Sequence, residues 1–431
     1  MSRKPPVKEP SKLTLRPAAE MITEVREYSL ITPLFGGGID PASPDPITVV
    51  RAAEIRGQLR FWWRATRGGQ FGADLKALRD AEEAIWGGPA REENGRSLGG
   101  QSSVQVVVRD WKNGTPDVPF EMAGNRLQPR GGSVVPAYAA FPLQPERAAQ
   151  RPGLQIKPVY KDVRFTLVIT FPKTYQNDVA AALWAWETFG GIGARTRRGF
   201  GALRLEKVNG TAAQNLPPCD DRQFGQWLTA QLNHHVAEGV WPAGIPHLNR
   251  QLRFKVVVGN SAIDVWHELI NRLQSFRQQR RGMNGRLNRY GHSDCPEPNA
   301  IRLLFKRPPR GPHANRRIRK FPRAAFGLPI VFHMPHDPGL DVTLEGENLS
   351  RLASPLILKP VACRDGKAIG LAVILEGVQL PVPLVLKQDN RSVHEVQATL
   401  IQAEACQIPP LRVPPPNGCQ PDVIQAFLDL L

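Results

Sequence analysis

One succession of elements constrains this chain more than any other: a helical pattern, a glycine-rich loop and a strand, in that order. The helix is "QNDVAAALWAWETFG", ending at Gly190; the loop "GGIGARTRRGFG" covers residues 190–201; the strand is "FGALRLEKV". Glycine loops that cradle a nucleotide phosphate run the other way, strand then loop then helix. The free N–H groups and positive partial charge of a helix N-terminus then face the phosphate. Here the loop follows the carboxyl end of a helix, where the dipole is negative and repels phosphate. The stretch also lacks the G-x-x-x-x-G-K-[ST] of a P-loop and does not complete G-x-G-x-x-G. No nucleotide cofactor is expected. Two readings remain. The glycines Gly190, Gly191, Gly193, Gly199 and Gly201 permit unusual backbone angles and leave N–H groups uncovered, so Arg195, Arg197 and Arg198 could track a sugar-phosphate chain. The competing reading is a tight turn carrying surface arginines.

Around this loop the pattern reads β-α-β-β-α-β with decorations. Residues 21–35 alternate as a strand, a helix covers roughly 48–67, and a second helical pattern, "DLKALRDAEEAIWG", follows. Residues 104–108 form a strand, 111 to about 160 are proline-rich and irregular, and 163–171 form the clearest strand of the chain. Such an order predicts an α+β, ferredoxin-like (RRM-like) domain over 21–210, with an antiparallel sheet and helices on one face. A polar connector spans 211–250. A second domain over 251–431 opens with the strand "LRFKVVVG" and a helix capped by Ser261. The later strands "LPIVFHM", "PLILKPVA" and "AIGLAVILEG" complete an expected second ferredoxin-like unit with long loop insertions. Residues 1–20 read as a disordered basic tail without the apolar region of a secretory signal.

Charge is unevenly placed. The chain carries a formal net charge of +17, which suits a polyanionic partner. Between residues 272 and 323 fifteen arginines and lysines, among them Arg280, Arg281, Arg286 and Arg289, face only Asp294 and Glu297. A need for solubility would not concentrate charge in this way; this basic insertion is expected to be a mobile loop that orders on RNA or, as the family resemblance given below implies, on a neighbouring subunit. In the helix "VRAAEIRGQLRFWWRATRGG", Arg56, Arg60, Arg64 and Arg67 fall within about 80° of one another. Ala52, Ile55, Leu59, Trp62, Trp63 and Thr66 fall on the adjoining arc, and the two tryptophans are expected in the core. A one-signed stripe without interleaved acids is unfavourable by itself, since like charges four residues apart repel. A nucleic-acid partner would explain it; an ordinary solvated face is the bland alternative.

The search for catalytic groups is mostly negative. There is no H-x-x-x-H, H-E-x-x-H or G-x-S-x-G, and no aspartate cluster of the kind that holds paired magnesium ions. The five cysteines are scattered and never spaced C-x-x-C, which argues against a disulfide framework and a zinc site and for a cytoplasmic protein. His333 and His336 form a weak pair, and His292, beside Tyr290 and Arg289, is the one candidate for metal-independent RNA cleavage. No apolar run of eighteen residues occurs, and no membrane partner is expected.

The early "LITPLFGGG", then "IRGQLRFWWRATRGG", then the glycine loop before a strand together resemble the RAMP superfamily of CRISPR-associated proteins. Within it, "AFGLPIVFHM" and "RLASPLILKP" add a similarity to the two-domain head subunit of type III-B (Cmr) effector complexes. The resemblance spans residues 30 to about 360 and leaves long insertions and the C-terminal tail unmatched. It implies two ferredoxin-like domains in a ribonucleoprotein with CRISPR RNA, target RNA and other type III-B subunits as partners. It also implies a non-catalytic role, because the family's target cutting is attributed to an aspartate on a loop of the backbone subunits, and no equivalent can be placed here. The glycine loop and Arg56 to Arg67 map onto the family's glycine loop and basic helix. The alternative is a metal-independent RAMP endoribonuclease that processes CRISPR RNA.

Overall fold

The computed structural model describes residues 20–431 except 39–42, 46, 94–95, 146–153, 155, 335 and 413–417. The expected tail, save Glu20, lies outside them. The protein is α+β, and the ladders between its strands are antiparallel.

The N-terminal sheet is centred on Met21–Leu30, with Leu203–Val208 on one side and Arg164–Pro172 on the other; Gln105–Lys112 lies beyond the latter. The Arg164–Pro172 strand buries Phe165, Leu167, Ile169 and Phe171 on one face. That alternation fixes register, because a one-residue slip would turn the whole apolar set to solvent. Tyr28 accordingly opposes Phe165, and their rings stack at 5.1 Å. Helices α1 (Ala52–Arg67) and α3 (Gln176–Phe189) join the strands, and α2 (Leu75–Trp86) is an addition capped by Asp74. The buried face of α1 holds Ile55, Leu59, Trp62, Trp63, Ala65 and Thr66, close to the expected arc. In α3, nine of fourteen residues are buried, so this helix is enclosed rather than laid on a surface. The segment read as irregular contains short ladders, Thr115–Asp117 with Val159–Lys161 and Phe120–Ala123 with Arg126–Pro129.

Helix α4 (Asp221–His235) leads to the second sheet, ordered Phe254–Gly259, Ala368–Ile374, Leu356–Ala362. Its helix α5 (Ala262–Arg277) is capped by Ser261, whose side chain accepts from the Asp264 amide, as expected. "LPIVFHM" does not join this sheet. Ile330–Phe332 pairs with Val342–Gly346, which continues to Leu384–Gln388 and Arg391–Val396, forming a separate four-stranded sheet. Burial explains the separation. Leu356–Ala362 and Ala368–Ile374 are buried on both faces, whereas Ile330–Phe332 buries Phe332 and exposes Val331. A one-sided strand cannot occupy a two-sided place. The new sheet has its own core around Phe321, Phe332, Leu344 and Leu386.

The main core crosses from one half to the other: Trp62, Trp63, Trp186 and Phe189 cluster with Ile357, Val361, Ile369 and Leu371. The cysteine expectation needs correcting, because Cys406 and Cys419 form a disulfide with Cα atoms 5.1 Å apart. The C-terminal chain folds back there, with Arg412 bridged to Cys419, a closure that linear spacing does not reveal. Among the described residues no helix is long and apolar enough to cross a membrane.

Candidate nucleic-acid interface

The glycine loop is a junction, and most of its amides are already used. Ile192 N–H donates to Gly201 O at 3.0 Å, Ala194 N–H to Phe35 O at 2.7 Å and Gly201 N–H to Pro33 O at 2.9 Å. Gly193 N–H donates to the Glu54 carboxylate, which is largely buried at the N-terminus of α1. Burial raises the Glu54 pKa despite this donor and nearby Arg51. Three positions require glycine outright, among them Gly201, with φ +59° and a Cβ that would stand 1.9 Å from Ile192 O. Gly193 has φ +83°, and a Cβ there would stand 2.5 Å from Phe35 O; Gly199 has φ +85°, and its Cβ would meet Trp266 Nε1 at 2.4 Å. Trp266 belongs to α5, and its indole N–H donates to Arg198 O at 2.7 Å. The buried Phe200 ring packs edge-on to Trp266 at 4.8 Å. The loop therefore locks the first sheet to the second half instead of offering free amides to a ligand.

Its arginines follow the same plan. Arg197 donates to Ser354 O, and Arg198 donates to Leu356 O at 2.8 Å and Phe326 O at 3.5 Å. The guanidinium of Arg197 also lies over Phe61, 5.5 Å from the ring centre. Burial lowers the pKa of Arg197 to about 10 and that of Arg198 to about 9; Arg277, Arg195 and Arg197 add repulsion at Arg198. Arg195 takes the left-handed conformation at φ 59°, and its buried Nε has no partner. Arg277, at the end of α5, has a buried Nε in the same condition. Among the described residues no carboxylate forms a salt bridge with Arg195, Arg197, Arg198 or Arg277. Charges partly withdrawn from water without counter-charge are costly, and these four half-buried guanidinium groups share that cost at one place in the fold.

The α1 stripe is organised differently. Glu82 of α2, almost fully buried, receives Arg60 Nε at 2.7 Å and Arg64 Nη1 at 2.6 Å. Arg67 faces Asp178 of α3 at 3.4 Å, and Trp63 Nε1 donates to the same carboxylate at 2.8 Å. The stripe read as one-signed thus has acids supplied by other helices, and Arg56 is its exposed member. Arg56 and Arg60 line an open cavity of about 620 Å³, closed on its other side by Gly87, Gly88 and Gln101.

The basic segment 272–323 is packed, not a mobile loop. It forms a hairpin, Arg280–Arg281 against His292–Ser293, followed by α6 (Glu297–Leu304). Its two acids are the anchors. Asp294, fully buried, holds Arg281 at 2.9 Å and His313 at 2.7 Å; Glu297, equally buried, accepts from the Arg323 backbone N–H at 3.0 Å and lies 3.1 Å from its guanidinium. Asp337, outside the segment, holds Arg302 at 2.8 Å and Arg310 at 3.4 Å. Arg280, Arg286 and Arg289 remain exposed on the hairpin, with Arg289 stacked on Tyr290 at 4.6 Å. The fourth member of the half-buried cluster, Arg277, was missed as a site residue. Its place at the end of a helix before a run of basic residues was the available signal.

Residues 27–204 match the RAMP superfamily, and the resemblance carried by the basic helix and glycine loop is to that family. Two relatives from Pyrococcus furiosus stand beside it. CRISPR system Cmr subunit Cmr1-2 is 28% identical over 193 residues, 44% of this chain and 97% of that protein. Cmr1-1 is 24% identical over 170 residues, 39% of this chain and 44% of that protein. Among solved structures, the apo crystal structure of Cmr1 from Pyrococcus furiosus is similar over 90% of this chain and 96% of its own, with 18% identity and a TM-score of 0.47. A chain of the type III-B Cmr-beta complex bound to cognate target RNA is similar over 83% of this chain and 95% of its own, with 15% identity and a TM-score of 0.46.

Proposed function

We propose that this chain is a non-catalytic, RNA-binding subunit of a type III-B CRISPR ribonucleoprotein in the cytoplasm, where it binds CRISPR RNA and target RNA beside other subunits. The observation that carries the reading is the half-buried group of Arg195, Arg197, Arg198 and Arg277, which has no carboxylate partner among the described residues. A phosphate of the RNA backbone supplies the missing counter-charge, and bidentate guanidinium geometry suits it. Arg56, Arg280, Arg286 and Arg289 extend the interface along the exposed surface. The relationship to Cmr1 subunits supports the assembly partner.

The domain reading belongs to the same proposal. Residues 21–210 are a ferredoxin-like unit with the first strand central and the second strand at an edge. Residues 251–431 are a reduced unit of strand, helix and two strands, carrying the basic segment and the separate sheet as insertions, with 211–250 as connector.

The test is binding of a labelled single-stranded RNA across a salt series, by fluorescence anisotropy. Arg195→Gln with Arg277→Gln should weaken binding at least roughly tenfold and lower the salt slope by about two, one for each phosphate that the variant no longer neutralises. Unchanged affinity and slope in a folded double variant would overturn the reading.

A further inference from the structure

Two motifs that stand well apart in sequence meet in one cavity. The hairpin 280–293, the start of α6 and residues His333, Met334 and His336 line a space of about 460 Å³. Its wall brings together His292, His333 and His336 with Arg280, Arg302 and Arg310.

The arginines are held in place before any ligand arrives. Arg302 is buried, and its Nε and Nη2 donate to one oxygen of Asp337 at 3.0 and 2.8 Å, while Nη1 donates to Asn299 Oδ1 at 2.9 Å. Arg310 reaches the other Asp337 oxygen at 3.4 Å and donates to His336 O at 3.2 Å. Arg280 donates weakly to Gly291 O at 3.4 Å. One carboxylate thus serves two of three guanidinium groups, and the cavity keeps a positive excess. Two of the three histidines have neighbours that fix them. His333 Nδ1 is 2.6 Å from Asp341, and His292 is backed by Gly311, where a Cβ would come within 2.3 Å of the ring. Burial lowers the His292 pKa, and the charges of Arg302 and Arg310 add to the effect. A metal does not fit: the ligand atoms close enough to share an ion among the described residues are those of Cys219, Cys363 and Asp365, elsewhere in the fold. Tyr290 forms part of the rim and is 79% exposed, an unusual state for a ring of that size. Arginines fixed around a recess, imidazole N–H groups and an exposed aromatic rim match the anionic and planar parts of a nucleotide.

We propose that this cavity holds a phosphate group of single-stranded RNA, with the adjoining base laid on Tyr290, as a second binding point distinct from the arginine cluster at the glycine loop. The proposal rests on the RNA-binding reading above and names the site on this hairpin.

The test uses the full chain with two probes, inorganic phosphate and uridine monophosphate, followed by calorimetry and by the histidine ring resonances. Both probes should bind and shift the signals of His292 and a second histidine. Arg280→Gln with His292→Gln should weaken both probes at least tenfold. Tyr290→Ala, an exposed substitution that leaves folding intact, should weaken uridine monophosphate several-fold and leave inorganic phosphate unchanged. If the wild type binds neither probe, or if the folded double variant binds them as the wild type does, the proposal fails. Loss of RNA affinity in Arg195→Gln with Arg277→Gln but none in the hairpin variants would sink this site and leave the RNA-binding reading standing. Phosphate binding here without any RNA affinity in the wild type would leave only an anion pocket and overturn both this proposal and the RNA reading.

Discussion

The glycine loop and the basic segment 272–323 are both rich in arginine, yet they treat charge in opposite ways. In the loop, Arg197 and Arg198 are drawn into the junction, held by backbone carbonyls and, for Arg197, the Phe61 ring, with no carboxylate partner among the described residues. In the basic segment, buried Asp294 and Glu297, with Asp337 from the following chain, each take one or more cations and convert a highly charged stretch into a packed element. The lesson concerns where a ligand is demanded. An arginine with a carboxylate of its own is structural and complete; one drawn from water without counter-charge, or one that shares a single carboxylate with another, leaves room for an anion.

That contrast can be broken at its neutralised end first. Asp294→Ala removes the partner of Arg281 and His313 and leaves cations beside a buried void. It should cost about 3–5 kcal/mol of stability, measured by urea unfolding, with the hairpin 280–293 becoming sensitive to protease. A loss below about 1 kcal/mol would mean that Asp294 is not the anchor.

The junction can be probed through its glycine. Gly199→Ala combines φ +85° with a Cβ 2.4 Å from Trp266 Nε1, and should cost about 2 kcal/mol through strain and displacement of α5. Gly285→Ala, at φ +74° in the open hairpin, meets nothing within 4 Å. It should cost about 1 kcal/mol from backbone strain alone. Equal losses would show that the loop does not clamp the two halves.

The third probe is Lys359, fully buried on the strand next to the loop, whose ammonium donates to Glu187 O. Burial lowers its pKa from the ordinary 10.5 to about 7. The folded group therefore holds fewer protons than the unfolded one between about pH 7 and 10.5, so this residue makes stability rise with pH across that window. Below about pH 7 both states are charged and the full burial cost is present. The slope attributable to Lys359 approaches about 1.4 kcal/mol per pH unit at most. Lys359→Met should flatten it, as seen by comparing melting curves at about pH 7 and pH 9. Parallel curves for the two proteins would remove Lys359 from the unneutralised region.

Much of this architecture is legible in the sequence. The alternation at 163–171 specified a strand, and the helical spacing of Ile55, Leu59, Trp62, Trp63 and Thr66 chose the buried face of α1. Helix, loop and strand in that order excluded a phosphate loop on chain order alone. Other features were out of reach. Glu82 lies 22 residues beyond Arg60, and only the packing of α2 on α1 reveals that it neutralises the stripe. Asp294 and Glu297 were visible as two acids against fifteen bases, but their burial, which makes them anchors, is a tertiary fact. The place of "LPIVFHM" in a separate sheet was equally hidden, because a short apolar run does not state which edge it pairs with.

By itself, then, the sequence determined the main helices and strands, their order and the sign of the net charge, because periodicity and charge are properties of the chain. The tertiary structure decided which arginines remain unneutralised. Charge balance inside a protein is set by distances of about 3 Å between residues that the sequence leaves far apart.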